Sequence, residues 1–116
     1  MKSVLGAILL AIPALAMAQA QDGKYTGSGP ANMGDPARCT PKLSVELVVE
    51  SNKLKGKLDF GNRVQDIEAN VAADGKFETS FINPNGHPVN ITGKLGETIQ
   101  VVNPIRCGYD KVPLKR

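Results

Sequence analysis

The chain has no tryptophan, only three phenylalanines and two tyrosines, a single histidine and two cysteines. A zinc site needs several closely spaced ligands, and one histidine without a Cys-x-x-Cys pair cannot complete it. The chain also has no Gly-x-Ser-x-Gly, no His-Glu-x-x-His and no glycine-rich phosphate loop. We therefore expect no metal, no cofactor and no catalytic residues.

The single histidine, His87, lies in a segment rich in proline, glycine and asparagine. Acid–base catalysis needs a second positioned group beside it. The carboxylates fall at predicted turns or at outward strand positions, and no pair of them is predicted to meet in an apolar pocket. The sequence thus favours a protein that is not an enzyme.

The shortage of aromatic residues also bears on ligand binding. Ligand pockets are mostly lined by apolar and aromatic side chains with a few convergent polar groups. This chain supplies few of either, so we expect an interior filled by its own side chains. A small-ligand carrier is kept as an alternative.

Residues 1–20 have the features of a secretory signal peptide. Lys2 provides the positive start, an apolar run follows, and small residues stand at Ala16, Ala18 and Ala20. We expect cleavage after Ala20, with Ala18 as the alternative. The run is shorter than the roughly 20 apolar residues of a spanning helix. The mature chain is therefore predicted to be periplasmic or secreted and not held in a membrane.

Cleavage of the predicted signal peptide would remove Lys2, one of the 14 basic residues of the chain. The mature chain would then have 13 basic and 11 acidic residues. That small excess gives no reason to expect a nucleic-acid partner. An exported chain sits in an oxidising compartment, where two cysteines are expected to pair. A bond between Cys39 and Cys107 would close a long loop, which stabilises by about 4 kcal/mol in the chain-entropy model.

Alternating apolar and polar residues dominate from residue 42 onward. Residues 42–50 place Leu43, Val45, Leu47 and Val49 on one face, which predicts a half-buried strand. A two-residue turn at 51–52 and a returning strand at 53–60 predict a hairpin. Later segments repeat this pattern. In the strand at 63–71, Val64 falls out of phase, which predicts a bulge near residues 65–66 or a late strand start.

The predicted fold is all-β: a small antiparallel up-and-down β-barrel of seven or eight strands with one disulfide. An open β-sandwich is the alternative. Residues 21–41 are predicted to be an N-terminal strand and a Gly/Pro-rich arm, with a loop over 28–40. Residues 42–116 form a β-meander in one domain with the arm. The disulfide would bring the first and last long strands side by side, as barrel closure requires.

Several short segments resemble small uncharacterised exported proteins of proteobacteria. They are residues 22–27 (DGKYTG), a cysteine after a Gly/Pro segment, 73–77 (ADGKF), 91–95 (ITGKL) and 106–109 (RCGY). This resemblance implies a fold and a location, and it carries no activity. The architecture also resembles that of periplasmic protease and lysozyme inhibitors, which are small disulfide-linked barrels, and this is analogy at the level of the fold.

The leading functional hypothesis is a non-catalytic exported module, structural or protein-binding, whose partner is another exported protein. We expect it to be a monomer. An inhibitor of a secreted hydrolase is the second hypothesis. The candidate partner-binding residues lie in the arm and in the loop at 83–88: Gly29, Pro30, Asn32, Met33, Asp35, Arg38, Asn85 and His87.

Overall fold

The computed structural model describes residues 20–116, so all of the predicted signal peptide (residues 1–20) except Ala20 lies outside the described residues. The strands are β1 (Gly23–Pro30), β2 (Met33–Gly34), β3 (Lys42–Glu50), β4 (Lys53–Asp59), β5 (Val64–Asn70), β6 (Lys76–Ile82), β7 (Pro88–Lys94), β8 (Thr98–Asn103) and β9 (Cys107–Pro113). A short 3₁₀ turn, Pro36–Arg38, lies between β2 and β3.

These strands form two antiparallel sheets, with the orders β1-β3-β4-β5 and β2-β9-β8-β7-β6. Alternating sequence explains both sheets, because successive side chains of a strand point to opposite faces. The prediction of an all-β, antiparallel chain with one disulfide is confirmed. The hairpins that join β3 to β5 and β6 to β9 in succession follow the expected up-and-down order.

The β3–β4 hairpin has the predicted form. Glu50 pairs with Lys53, so the turn contains only Ser51 and Asn52. Both turn residues have positive φ, 50° and 65°, as two-residue hairpins with the twist of the strands require. On the outer face Lys57 pairs with Glu46, which places opposite charges across the strands.

The closed barrel is not found in the described residues, and the arrangement is a sandwich of two sheets. A barrel needs a continuous ladder between every pair of neighbouring strands. Here β1 meets the end of β9 through the isolated bridge between Thr26 and Lys115, and β5 meets β6 through the bridge between Val71 and Phe77. The alternative, an open β-sandwich, therefore describes the fold better.

Two aromatic rings meet at one end of β5 and β6. Phe60 precedes β5 and Phe81 lies near the end of β6, and their ring centroids are 6.4 Å apart. Both side chains are partly buried and pack against the core.

The N-terminal arm is more regular than predicted. β1 continues through Ser28 to Pro30 in register with β3, and β2 pairs with the start of β9. β1 therefore lies beside β3 and also reaches β9. β3 and β9, which were predicted to be the first and last long strands, are thus not side by side. Instead, the Cys39–Cys107 bond links the end of the arm to β9, with the Cα atoms 5.9 Å apart.

The bulge lies on another strand than predicted. β5 pairs with β4 from Val64 to Asn70 without a shift in register, and Val64 is simply an exposed first residue. The register changes between β8 and β9, where Asp110 and Lys111 both face Gln100. A bulge adds one residue to one strand. Val64 is thus an outward-facing residue in regular pairing, and neither the predicted bulge at residues 65–66 nor the predicted late strand start explains its phase.

The core lies between the sheets and is filled with aliphatic side chains. The largest fully buried residues are Leu43, Leu47, Leu54, Leu58, Ile91, Ile99, Leu114, Val49, Val101 and Val112. A Cβ at Gly56 would lie 2.5 Å from Leu47 Cδ2, so the small residue is needed there. Within residues 20–116 no helix is both long and apolar enough to cross a membrane.

Candidate functional site

Four chain segments meet at the end of the sandwich where the disulfide lies. They are the end of the arm and the β4–β5, β6–β7 and β8–β9 connections. We call this end the rim and define it as residues 35–41, 60–63, 83–87 and 104–106. Because alternate connections of a meander lie at the same end of the sheet, the fold brings these distant segments together.

A cavity of about 190 Å³ opens at the rim. Its floor is aromatic. The ring of Phe60 packs against the rings of Phe81 and Tyr109, at centroid distances of 6.4 Å and 6.0 Å. Val89 and Val101, both buried, complete the apolar side of the lining.

The disulfide and Tyr109 fix one wall of the cavity. Cys39, Thr40 and Cys107 all line it. The Tyr109 hydroxyl donates to the carbonyl oxygen of Thr40 at 2.8 Å, and the Thr40 hydroxyl lies 2.7 Å from the same Tyr109 oxygen. The wall is therefore held by one covalent bond and two hydrogen bonds.

Three arginines surround the cavity: Arg38 from the arm, Arg63 before β5 and Arg106 before β9. None of them belongs to an ion pair among the described residues, where the salt bridges are formed by lysines. No aspartate or glutamate is among the lining residues. An arginine side chain stays charged in proteins and offers five donors. The cavity therefore has a positive entrance above an apolar floor.

Two asparagines add further donors. The Asn83 side-chain oxygen accepts from the backbone N–H groups of Asn85 and His87. The Asn103 oxygen accepts from the N–H of Ile105 at 3.3 Å. A backbone N–H can only donate, so in both residues the oxygen faces the turn. Their amide NH₂ groups, which can only donate, form no hydrogen bond among the described residues.

Exposed apolar side chains lie next to the rim. Ile82 ends β6 and is 65% exposed, Ile105 lies in the β8–β9 connection and is 61% exposed, and Val64 begins β5 and is 55% exposed. The only other large apolar side chain classed as exposed in residues 20–116 is Val48, which is 47% exposed and lies on the outer face of the first sheet. The exposed apolar surface is thus concentrated at one end of the molecule.

Some of the predicted partner-binding residues take part in strand pairing, and the others lie at the rim. Gly29 and Pro30 lie within β1 and pair with β3. Met33 pairs with Gly108. The Asn32 amide donates to the Asp110 carbonyl oxygen at 3.0 Å and accepts from the Asp110 N–H at 2.7 Å, so it completes the edge of β9 at the bulge.

The other predicted residues lie at the rim. Asp35 caps the 3₁₀ turn by accepting from the N–H of Ala37. Arg38 lines the cavity. Asn85 and His87 belong to the β6–β7 loop beside it without lining it, and His87 Nδ1 is buried without a hydrogen-bond partner among the described residues. The structure therefore brings Arg38 into the candidate site and places Asn85 and His87 next to it.

Sequence reasoning missed most of the cavity. It did not single out Phe60 and Arg63 in the β4–β5 connection, Phe81 in β6 or Arg106 in the β8–β9 connection. One signal was present, since three of the four arginines occur at ends of predicted strands or in the arm. Arginine is the residue that suits bidentate recognition of carboxylates and phosphates.

Two larger depressions, of about 700 and 790 Å³, lie on the outer faces of the sheets. The first is lined by Glu46, Lys55 and Lys57 among others, whose charges alternate across the strands. Mixed charges on the wet face of a sheet serve solubility and register. The cavity at the rim differs because the charged residues that line it have one sign and lie beside apolar side chains.

The remaining chemistry of the described residues adds no second site. No group of three His, Cys, Asp or Glu side chains in residues 20–116 could hold a metal ion. The pKa of Lys94 is raised, chiefly by its hydrogen bond to Glu97 and then by the charge of Glu97. That pair, 3.0 Å apart, lies in the β7–β8 connection at the end opposite the rim.

The disulfide is compatible with an oxidising, exported location. No family model, no curated protein and no solved structure matches this chain.

Proposed function

We propose that this is an exported, non-catalytic protein-binding module that holds its partner with the rim. The observation that carries the proposal is the small cavity at the rim, where the exposed Ile105 lies in the chain between the lining residues Asn103 and Arg106. Protein interfaces concentrate their affinity in a few anchors that fill pockets near the centre of the interface. The cavity can receive such an anchor.

The size of the cavity favours a protein partner over a free small molecule. Pockets for small ligands measure roughly 300–1,000 Å³, and this one measures about 190 Å³. Between the sheets, the interior is filled by buried apolar side chains. A cavity of this size suits a single anchoring side chain of a partner, which supports binding over the small-ligand carrier.

The chemistry of the lining supports a non-catalytic role. Arg38, Arg63 and Arg106 cannot be deprotonated in a protein, so none of them serves as a general base. The Tyr109 hydroxyl is engaged with Thr40. No carboxylate or histidine lines the cavity to accept a proton.

Site-specific photo-crosslinking in cells tests the proposal. The full chain would carry a benzophenone amino acid at Ile105 in one variant and at Val48 in another, since both side chains are exposed but only Ile105 lies at the rim. We expect one discrete crosslinked species from Ile105, lost when excess protein without the probe is co-expressed. Equal products from both positions, or none from Ile105, would overturn the proposal.

The same experiment separates the inhibitor hypothesis from other kinds of partner. If the species captured at Ile105 is a secreted hydrolase, the purified full-length product is assayed against that enzyme. Loss of hydrolase activity at equimolar protein makes the module an inhibitor. Unchanged activity makes it a binding module without that role.

A further inference from the structure

We infer that the rim binds an acidic polypeptide segment, in which one hydrophobic side chain enters the cavity and flanking carboxylates meet the arginines. This inference rests on the proposed function and specifies the chemistry of its partner. It is carried by charge complementarity between three unpaired guanidinium groups and a cavity without acidic lining.

The arginines lack the partners that such residues usually have. The two carboxylates of the same end, Asp35 and Asp59, cap turns by accepting from the N–H groups of Ala37 and Gly61, and neither lines the cavity. On the outer face of the first sheet the charges alternate in sign across the strands. At the cavity, by contrast, three cations are among the lining residues without an anion.

One of the three, Arg63, is already oriented in the unbound protein. Its guanidinium donates to Gln65 Oε1 and lies over the Phe81 ring, 5.7 Å from the centroid. The side chain is half-buried. A pre-oriented guanidinium loses less entropy when a carboxylate binds. It therefore favours a planar acceptor that takes two parallel hydrogen bonds.

The neutral polar groups of the lining also favour a ligand that offers hydrogen-bond acceptors. Asn83 and Asn103 use their oxygens within the turns, so their amide groups offer only donors. Tyr109 donates its proton to Thr40 and accepts the Thr40 hydroxyl. A ligand rich in acceptors satisfies this set, whereas a basic segment would place donors against donors.

The apolar part of the site argues for a polypeptide over an isolated anion. Inorganic phosphate would meet the arginines and leave the ring of Phe60 and the exposed Ile105 unused. A side chain of phenylalanine or leucine between two carboxylates uses both halves of the site.

Fluorescence anisotropy with labelled peptides and protein purified from full-length expression tests the inference. The probes are Glu-Glu-Phe-Glu-Glu, Lys-Lys-Phe-Lys-Lys and Glu-Glu-Gly-Glu-Glu, with inorganic phosphate as competitor. We expect the first peptide to bind at least tenfold more tightly than the other two. We also expect its affinity to fall as salt rises, because exposed charge pairs are screened, and we expect millimolar phosphate not to displace it.

Two double variants locate the site. R63Q/R106Q should weaken the first peptide by at least tenfold, which corresponds to about 1.4 kcal/mol. K55Q/K57Q removes the same charge from the outer face of β4 and should leave the affinity unchanged. Equal binding of all three peptides, or equal loss in the two variants, would overturn the inference.

The failure of this inference is distinguishable from the failure of the proposed function. If Ile105 crosslinks to a discrete partner and Glu-Glu-Phe-Glu-Glu does not compete, the rim binds a protein of other chemistry and only the acidic preference is wrong. If the Ile105 variant gives no crosslinked species and none of the peptides binds, both proposals are wrong.

Discussion

Tyr109 and Thr40 are joined by two hydrogen bonds beside the disulfide. The Tyr109 oxygen lies 2.8 Å from the Thr40 carbonyl oxygen and 2.7 Å from the Thr40 hydroxyl oxygen. Since the phenol has one proton and gives it to the carbonyl, the Thr40 hydroxyl donates to it in return. Thr40 follows Cys39, and Tyr109 stands two residues after Cys107, so these bonds and the disulfide hold the same junction.

Removing the Tyr109 hydroxyl tests how much that junction depends on it. Tyr109 is 2% exposed, and Y109F leaves both Thr40 oxygens without this partner. A buried polar group that loses its partner costs about 1–3 kcal/mol, so the free energy of unfolding should fall by that amount in urea titrations. In a double-mutant cycle with T40V, additive losses would contradict a direct coupling.

The disulfide should stabilise more than any single hydrogen bond. It joins cysteines 68 residues apart in the chain, and a loop of that length corresponds to about 4 kcal/mol. We expect C39S/C107S to lower Tm by well over 10 °C, at about 4–8 °C per kcal/mol for a domain of this size. An equal Tm for this variant and the unreduced protein would show that the bond contributes nothing.

C39S/C107S should also disrupt the cavity at the rim. Cys39, Cys107 and Thr40 line the cavity, so releasing the arm removes Arg38 and one wall together. Binding of the acidic peptide should weaken at temperatures where the variant is still folded. Near-UV circular dichroism of the two tyrosines checks folding at the temperature used.

The strands were predictable where the information is local. β3 begins and ends at the residues that alternation indicated, Lys42–Glu50, because its inward row of leucines and valines faces a core on one side only. β1 was not predictable through Pro30, since its glycines and proline read as a loop. It is a strand because β3, about 20 residues later, supplies its hydrogen bonds.

The rim was not predictable for a related reason. Arg38 was singled out as part of a long arm, but Arg63 and Arg106 are distant in sequence and each is an ordinary polar residue at a turn. Their meeting depends on which strand ends lie at the same end of the sandwich. Side-chain alternation indicates which face a residue occupies, but not which loops meet.

Gly27 allows β1 to approach the end of β9. A Cβ there would collide with the carbonyl oxygen of Pro113, next to the bridge in which Thr26 and Lys115 exchange hydrogen bonds of 2.8 and 2.9 Å. G27A should therefore break this corner and cost about 1–3 kcal/mol, the usual range for overpacking. Thermal unfolding measures it.

The neighbouring exposed Ser28 provides the control for that substitution, because its side chain points outward. S28A should change stability by less than about 0.5 kcal/mol, as surface changes usually do. Amide hydrogen exchange at Lys115 should quicken in G27A and not in S28A. Unchanged protection in G27A would mean that the two sheets are not held together at this corner.

Lys111 stores conformational strain at the β9 bulge. Its φ is 56°, in the left-handed region that costs an L-residue roughly 1–2 kcal/mol and that asparagine tolerates better. The side chain is exposed, so its packing does not decide the outcome. K111N should raise the free energy of unfolding by about 0.5 kcal/mol, and K111V should lower it by about 1 kcal/mol, because a β-branched residue fits that conformation poorly.

Lys55, an exposed residue within the regular pairing of β4, is the matched control for these substitutions. There the order should reverse, with K55V more stable than K55N, because valine favours extended strands and asparagine does not. Urea titration of the four variants measures both orders. If valine is preferred at both positions, the left-handed conformation of Lys111 is not maintained in solution, and the bulge that engages Asn32 would have to take another form.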